Sequence, residues 1–273
     1  MDHISDQDTF PRSMKIETGR ISDNGKHRLS NEDSLVNLEF FIEEGLGITF
    51  CSLHAVADGV GGSEGGDVAS SLALRQLARR LIQSLLIPIL PKGAPIPDHT
   101  YITQLLKQAV QSANNEIYLE NEATSKHMGT TLAAVLIVEK TAFIASVGDS
   151  RVYLLDDEVL NQLTTDHSLV AEMVARGEIT QEEAYAHPKR NVITRCLGMQ
   201  QEIEVQMLTQ ELKFGNSLII CSDGLWEMVR DTEIKAVILG TPDLQAASQQ
   251  LVDLANKNGG KDNITVILVK VGG

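Results

Sequence analysis

Three times in this sequence a short apolar run ends in an aspartate beside a glycine: Val56-Ala57-Asp58-Gly59, Val147-Gly148-Asp149 and Cys221-Ser222-Asp223-Gly224. Two more acidic positions stand ahead of such a run, Asp262-Asn263 before Ile264 to Val269 and Asn31-Glu32-Asp33 before Ser34 to Phe41. Runs of this length and composition read as strands. Strand ends can share one rim of a sheet, and a side chain leaving a rigid strand has a fixed direction. Glycine lets the backbone approach a ligand closely and lend its carbonyl oxygen. Such a rim suits Mg²⁺ or Mn²⁺, which prefer carboxylate, carbonyl and water oxygens. Histidine is scarce around these aspartates, which disfavours zinc. Taken singly, each Asp-Gly reads more readily as a turn. The five positions together point to an acidic metal site.

The rest of the chain predicts an α+β layered fold. Phe50 to Ala57 reads as a buried strand. From Gly66 to Leu86 the residues Val68, Leu72, Leu77, Leu81 and Leu85 recur at helical spacing, and Leu105, Leu106, Val110 and Ile117 mark a second helix. Between them Pro88, Pro91, Pro95 and Pro97 predict a loop, an insertion over about 88–99. Thr130 to Val138, Ala142 to Val147 and Val152 to Leu155 follow as a meander of strands. The segment 166–198 is a polar helical excursion in which Thr180 and Glu183 have capping-box spacing. Strands are expected again at Ile203 to Leu208, Ser217 to Cys221 and Ile264 to Val271, with helices starting at Asp231 and at Thr241-Pro242. Strands in blocks and helices in blocks favour α+β layers over an alternating parallel sheet.

Composition excludes several functions. The 37 acidic residues outnumber the 23 Lys and Arg, for a formal charge of −14, and a surface of that sign repels nucleic acid and anionic lipid. The longest apolar segment, Leu81 to Leu90, is interrupted by Gln83 and Pro88 and falls short of the ~20 residues of a membrane span. Residues 1–14 are acidic and polar, which predicts a flexible leader and no signal peptide. Cys51, Cys196 and Cys221 lie far apart with no CxxC spacing, so buried thiols in a reducing cytoplasm are expected. The glycines from Gly59 to Gly66 lack both the Gly-Lys-Ser/Thr ending of a P-loop and the third glycine of a dinucleotide fingerprint.

These same segments resemble the PP2C (PPM) family of metal-dependent protein serine/threonine phosphatases, in its bacterial form, from about Ile16 to Val271. The blocks that carry the resemblance occur in the family's order. They are Ser22-Asp23-Asn24-Gly25 with Arg28 and Asn31-Glu32-Asp33; Ala57-Asp58-Gly59-Val60-Gly61-Gly62; Met128-Gly129-Thr130-Thr131; Val147-Gly148-Asp149-Ser150-Arg151; Cys221-Ser222-Asp223-Gly224; and Lys261-Asp262-Asn263-Ile264-Thr265-Val266. The resemblance implies a four-layer α-β-β-α sandwich, two mostly antiparallel sheets flanked by helix pairs, occupying 15–273.

It also implies two core Mg²⁺ or Mn²⁺ ions. Asp58 would bridge them and the Gly59 carbonyl would bind one of them, with Asp223 and Asp262 completing the first site. Asp33 would serve the second, with Glu32 beside it, and Asp149 would hold a third ion with Asp223. Arg28 resembles the family's phosphate-binding arginine, whose planar fork can grip two phosphoryl oxygens; read without the resemblance, it is an ordinary surface ion pair. Asp58, Asp223 and Arg28 are thus the expected catalytic residues. The implied reaction is in-line attack of an activated water on a phosphoserine or phosphothreonine ester, by a cytoplasmic monomer opposing a Ser/Thr kinase. Eukaryotic relatives carry a proposed general acid, a histidine, after the Asp-Gly pair. Here Val60 follows Gly59, and Ser63 stands where many bacterial relatives have histidine, so no general acid is assigned. The 166–198 excursion resembles the flap of bacterial members and is expected to bias substrate choice. A non-catalytic scaffold is the main rival, disfavoured because every first-site carboxylate is present.

Overall fold

Period-two alternation along the strands builds the layers of the protein. The structure, a computed structural model, describes residues 15–44, 47–60 and 65–272. The chain begins with β1 (Lys15–Asp23), β2 (Asp33–Glu44) and β3 (Gly47–Val60), then α1 (Gly66–Leu81), a π-helical turn (Ile82–Leu86), α2 (Ile87–Ile89) and α3 (His99–Thr124). It continues through β4 (Gly129–Thr130), β5 (Leu132–Val138), β6 (Thr141–Val147), β7 (Arg151–Asp156) and β8 (Val159–Gln162) to the short helices α4 (Leu169–Ala175) and α5 (Gln181–Ala186). The remainder is β9 (Gln206–Glu211), β10 (Ser217–Cys221), α6 (Asp223–Trp226), α7 (Asp231–Gly240), α8 (Leu244–Lys257) and β11 (Ile264–Gly272).

One antiparallel sheet has the order β1-β11-β10-β7-β8 and the other β2-β3-β5-β6-β9, with β4 paired to the end of β3. Between the sheets, Ala133, Val135 and Ile137 of β5 meet Leu218, Ile220, Ile267 and Val269. The alternate β5 residues, Leu132, Ala134, Leu136 and Val138, face outward to Leu77, Leu106 and Ile117 of α1 and α3. On the far side, Ile219, Val266 and Leu268 pack under Trp226, Ile234 and Leu251 of α6 to α8. The result is the expected α+β sandwich of four layers, α-β-β-α.

Several local expectations shift. Val68 is exposed, and the buried stripe of α1 runs instead through Ala69, Ala73, Leu74, Leu77 and Leu81. Small alanines carry a face that a search for large apolar residues passes over. The helix continues through Pro88, reaching Ile89, because the π-turn before it reorganises the hydrogen bonds around the missing N–H. The strand expected at Ile203 begins at Gln206; Ile203 and Val205 pack into the helix-side core from irregular backbone. Helix α8 is capped by Asp243, whose side chain accepts from the Ala246 N–H at 2.7 Å, so the start falls two residues beyond Thr241. Asp243→Ala should therefore cost about 1 kcal/mol, read as a lower denaturant midpoint with an unchanged m-value. The leader at 1–14 and the glycine-loop residues 61–64 lie outside the described residues.

Candidate metal centre

Register brings the aspartates together. In the β2–β3 pairing Asp33 stands directly opposite Asp58, and Gly59 pairs with Thr130. Asp58-Gly59 is thus strand and not a turn. A Cβ on Gly59 would lie 2.3 Å from the Gly66 carbonyl oxygen, so close passage of the α1 N-terminus requires glycine there. In the other sheet Cys221 pairs with Arg151 on one side and Val266 on the other. That register places Asp149, Asp223 and Asp262 at the ends of three neighbouring strands. A hydrogen bond between Thr131 Oγ1 and Ser150 Oγ, 2.7 Å, joins the rims of the two sheets.

The backbone around the acids is held by hydroxyls and amides. Thr131 Oγ1 accepts from the Asp58 N–H, while Thr130 Oγ1 donates to the Asp58 carbonyl at 2.8 Å. Ser222 Oγ donates to Asp33 Oδ2 at 2.8 Å and accepts from the Thr265 N–H. Asn263, buried, accepts from the Glu32 N–H and donates to the carbonyls of Asn24 and Ser30. Gly224 must be glycine, since a Cβ would sit 1.9 Å from the Asn263 carbonyl oxygen. The Glu32 carboxylate lies against Gly66 at the start of α1, 2.9 Å from where a Cβ on Gly66 would stand.

Electrostatically this is an unfinished site. The Asp58 carboxyl stands opposite Asp33 in register and close enough to Asp223 to feel its charge. Burial, followed by the charges of Asp33, Asp223 and Asp149, pushes Asp58 well above the usual carboxylate range. Burial and the charges of Asp149, Asp262 and Glu227 do the same to Asp223. Burial raises Asp33 to about 6, and burial with the charge of Asp166 raises Asp149 to about 7. Asp33 Oδ1 and Asp223 Oδ1 are buried without a hydrogen-bond partner. Buried anions without partners are costly, and a divalent cation satisfies them. The donor set, all oxygen, fits Mg²⁺ or Mn²⁺. Among the described residues no three acidic, histidine or cysteine side chains already surround one point. Asp33, Asp58 and Asp223, each acting on its neighbour by charge, would be the residues to hold such a cation.

Arg28 arrives from the loop after β1 and donates to Asp262 Oδ2 at 2.7 Å, with half of its side chain exposed. Arg28, the residue expected to grip phosphate, thus forms an ion pair at the site edge.

Four further residues support the site: Arg151, Asp166, Trp226 and His167. Arg151 is buried, donates two ways to Asp166, and stacks 3.5 Å from the centre of the Trp226 ring. The Trp226 indole N–H in turn donates to the Asp149 carbonyl. His167 clamps Gly148 from both sides, its N–H donating to the Gly148 carbonyl and its Nδ1 accepting from the Gly148 N–H. The start of the 166–198 segment is thereby anchored to Asp149. Arg151 belongs to a quoted motif, and its burial was the missing clue.

Comparison with known proteins agrees with this geometry. The family model for protein phosphatase 2C matches residues 30–268. A serine/threonine phosphatase of Listeria monocytogenes is 39% identical over 217 residues, covering 79% of this chain and 82% of that protein. The protein phosphatase PhpP of Streptococcus pneumoniae is 32% identical, covering 94% and 98%. The crystal structure of the Mycobacterium tuberculosis serine/threonine phosphatase PstP/Ppp superimposes with a TM-score of 0.80 at 34% identity, over 94% of this chain and 99% of that one. A structure of the PstP catalytic domain described as a complex with two manganese ions gives a TM-score of 0.78 at 33% identity, over 96% and 100%. With the family model spanning most of the chain and both sheets superimposing on solved members, this chain belongs to the protein phosphatase 2C family.

Proposed function

We propose that the protein hydrolyses phosphoserine and phosphothreonine esters in other proteins, using two Mn²⁺ or Mg²⁺ ions. Asp58 would hold both ions and the Gly59 carbonyl one of them, with Asp223 and Asp262 at one and Asp33, backed by Glu32, at the other. Asp149 would share a third with Asp223. When bound, such ions activate a water near neutral pH and offset charge on the phosphoryl oxygens. Arg28, at the site edge, would donate its planar fork to the phosphoryl group, selecting a dianionic monoester and orienting it for in-line attack. Ser222, Thr131 and Asn263 keep the carboxylates in register, so the centre needs little rearrangement during the reaction. The segment 166–198 would serve as a flap that biases access.

The observation that carries this reading is Asp33 standing opposite Asp58, with Asp223 near enough to act on Asp58 by charge and two buried oxygens, of Asp33 and Asp223, unpartnered. No helix among the described residues is long and apolar enough to cross a membrane. The proposed setting is a monomer working in the cytoplasm against a Ser/Thr kinase. The test is phosphate release from a phosphothreonine peptide with Mn²⁺. Release that stops on chelation and returns with added Mn²⁺ is expected; a folded, Mn²⁺-loaded sample releasing none would favour a binding scaffold.

A further inference from the structure

Beside Asp262 lies a cleft of about 340 Å³, where His27, Arg28, Arg190 and Lys261 face only two acids, Glu227 and Asp262. In a chain of net charge −14 this is a local reversal of sign. Both acids are already engaged, Asp262 by Arg28 at 2.7 Å and Glu227 by Arg190 at 3.5 Å. His27 and Lys261 make no ion pair among the described residues, although Lys261 lies close enough for its charge to act on Glu227.

The arrangement is built into the backbone. The Lys26 N–H donates to the Gly260 carbonyl at 2.7 Å. Gly25, at φ +71°, passes so near the next segment that a Cβ would stand 2.1 Å from the Asp262 carbonyl oxygen. Buried Asn263 ties both ends of the loop by donating to Asn24 and Ser30. Residues more than 230 positions apart in sequence are therefore seated side by side, and Arg190 reaches the same cleft from the 166–198 segment. Basic groups gathered on a preorganised rim concentrate anions near the site and reward an anion already tethered there.

We propose that this cleft is a subsite for a second anionic group on the substrate, a carboxylate or phosphate on a residue flanking the phosphorylated one. His27 and Lys261 are its specificity residues. The inference rests on the phosphoprotein reading above and names the substrate class within it. Acidic-flanked or multiply phosphorylated segments are preferred over those with neutral or basic neighbours.

The experiment separates the two claims. Labelled thiophosphothreonine peptides, slow to hydrolyse, carry alanine, glutamate or a phosphonate residue at the flanking position, and their Kd for the Mn²⁺-loaded protein is read by anisotropy. Phosphate release from the matching phosphothreonine peptides is followed in parallel. For glutamate over alanine we expect tighter binding by about five- to tenfold at low salt, shrinking at high salt. The phosphonate arm shows whether phosphate outranks carboxylate. In a His27→Asn/Lys261→Gln double variant with an unchanged melting temperature, the glutamate-to-alanine ratio should fall close to one. A ratio near one in the wild type, or one that survives the double substitution, overturns the subsite while leaving the hydrolytic reading standing. Flanking preference in Kd without phosphate release would uphold the subsite and overturn hydrolysis.

Discussion

Asp58→Asn should abolish most phosphate release, by about a thousandfold or more, and at the same time raise the melting temperature of the chelated protein. The first effect follows from the place of Asp58 between Asp33, opposite it in register, and Asp223, whose charge acts on it. No other side chain can substitute for an anion there. The second follows from register: like charges directly opposite across a strand pair destabilise a sheet, and Asp33 and Asp58 are such a pair. A neutral amide removes that repulsion and can donate to one of the unpartnered oxygens of Asp33 or Asp223. In a domain of this size each 1 kcal/mol gained appears as about 2–4 °C. Full activity in the variant would remove Asp58 from the bridging position. A lowered melting temperature in chelator would show that crowding is not what burdens the metal-free fold.

The same crowding predicts an unusual pH response. Each of these carboxyl groups holds its proton more tightly in the folded chain than in the unfolded one. Between the unfolded value near 3.8 and the folded values, about 6 for Asp33 and about 7 for Asp149, the folded state therefore binds more protons, and stability falls as pH rises. Asp33 alone costs on the order of 3 kcal/mol by pH 7.5. Buried His54, lowered to about 3, acts in the opposite direction, because its unfolded form gains a proton below about pH 6.5. Comparing wild type with Asp33→Asn cancels the histidine contribution. In chelator, the wild type should lose stability relative to Asp33→Asn between pH 5 and pH 7.5, and saturating Mn²⁺ should restore it by competing with the protons. Parallel melting curves for the two proteins across that range would contradict the raised carboxyl values.

Layering and the location of the acidic rim were legible because they depend on local chemistry. A seven-residue β5 with Leu132, Ala134, Leu136 and Val138 on one face and Ala133, Val135 and Ile137 on the other can only be a strand buried on both sides. Asp58, Asp149 and Asp223 could be placed at strand ends for the same reason. Pairing partners were not legible from those patterns. Nothing in the chain near Asp33 says that Asp58 will face it, and nothing in Asp166 says that it will neutralise Arg151 inside the protein. Such facts are set by register and tertiary closure, which pattern alone leaves open. The Pro88 expectation failed because proline chemistry is local but the π-turn that accommodates it is not written in any one residue.

The pairing of β1 with β11 joins segments about 240 residues apart. A ribosome adding about 5–20 residues each second leaves the earlier strand waiting for roughly 10–50 s before its neighbour exists. Asp262 arrives with that late neighbour, immediately ahead of Ile264. On the proposed metal assignment a half-made chain lacks Asp262 and should not dephosphorylate anything, and the interval with an open sheet edge is when chaperone cover matters most.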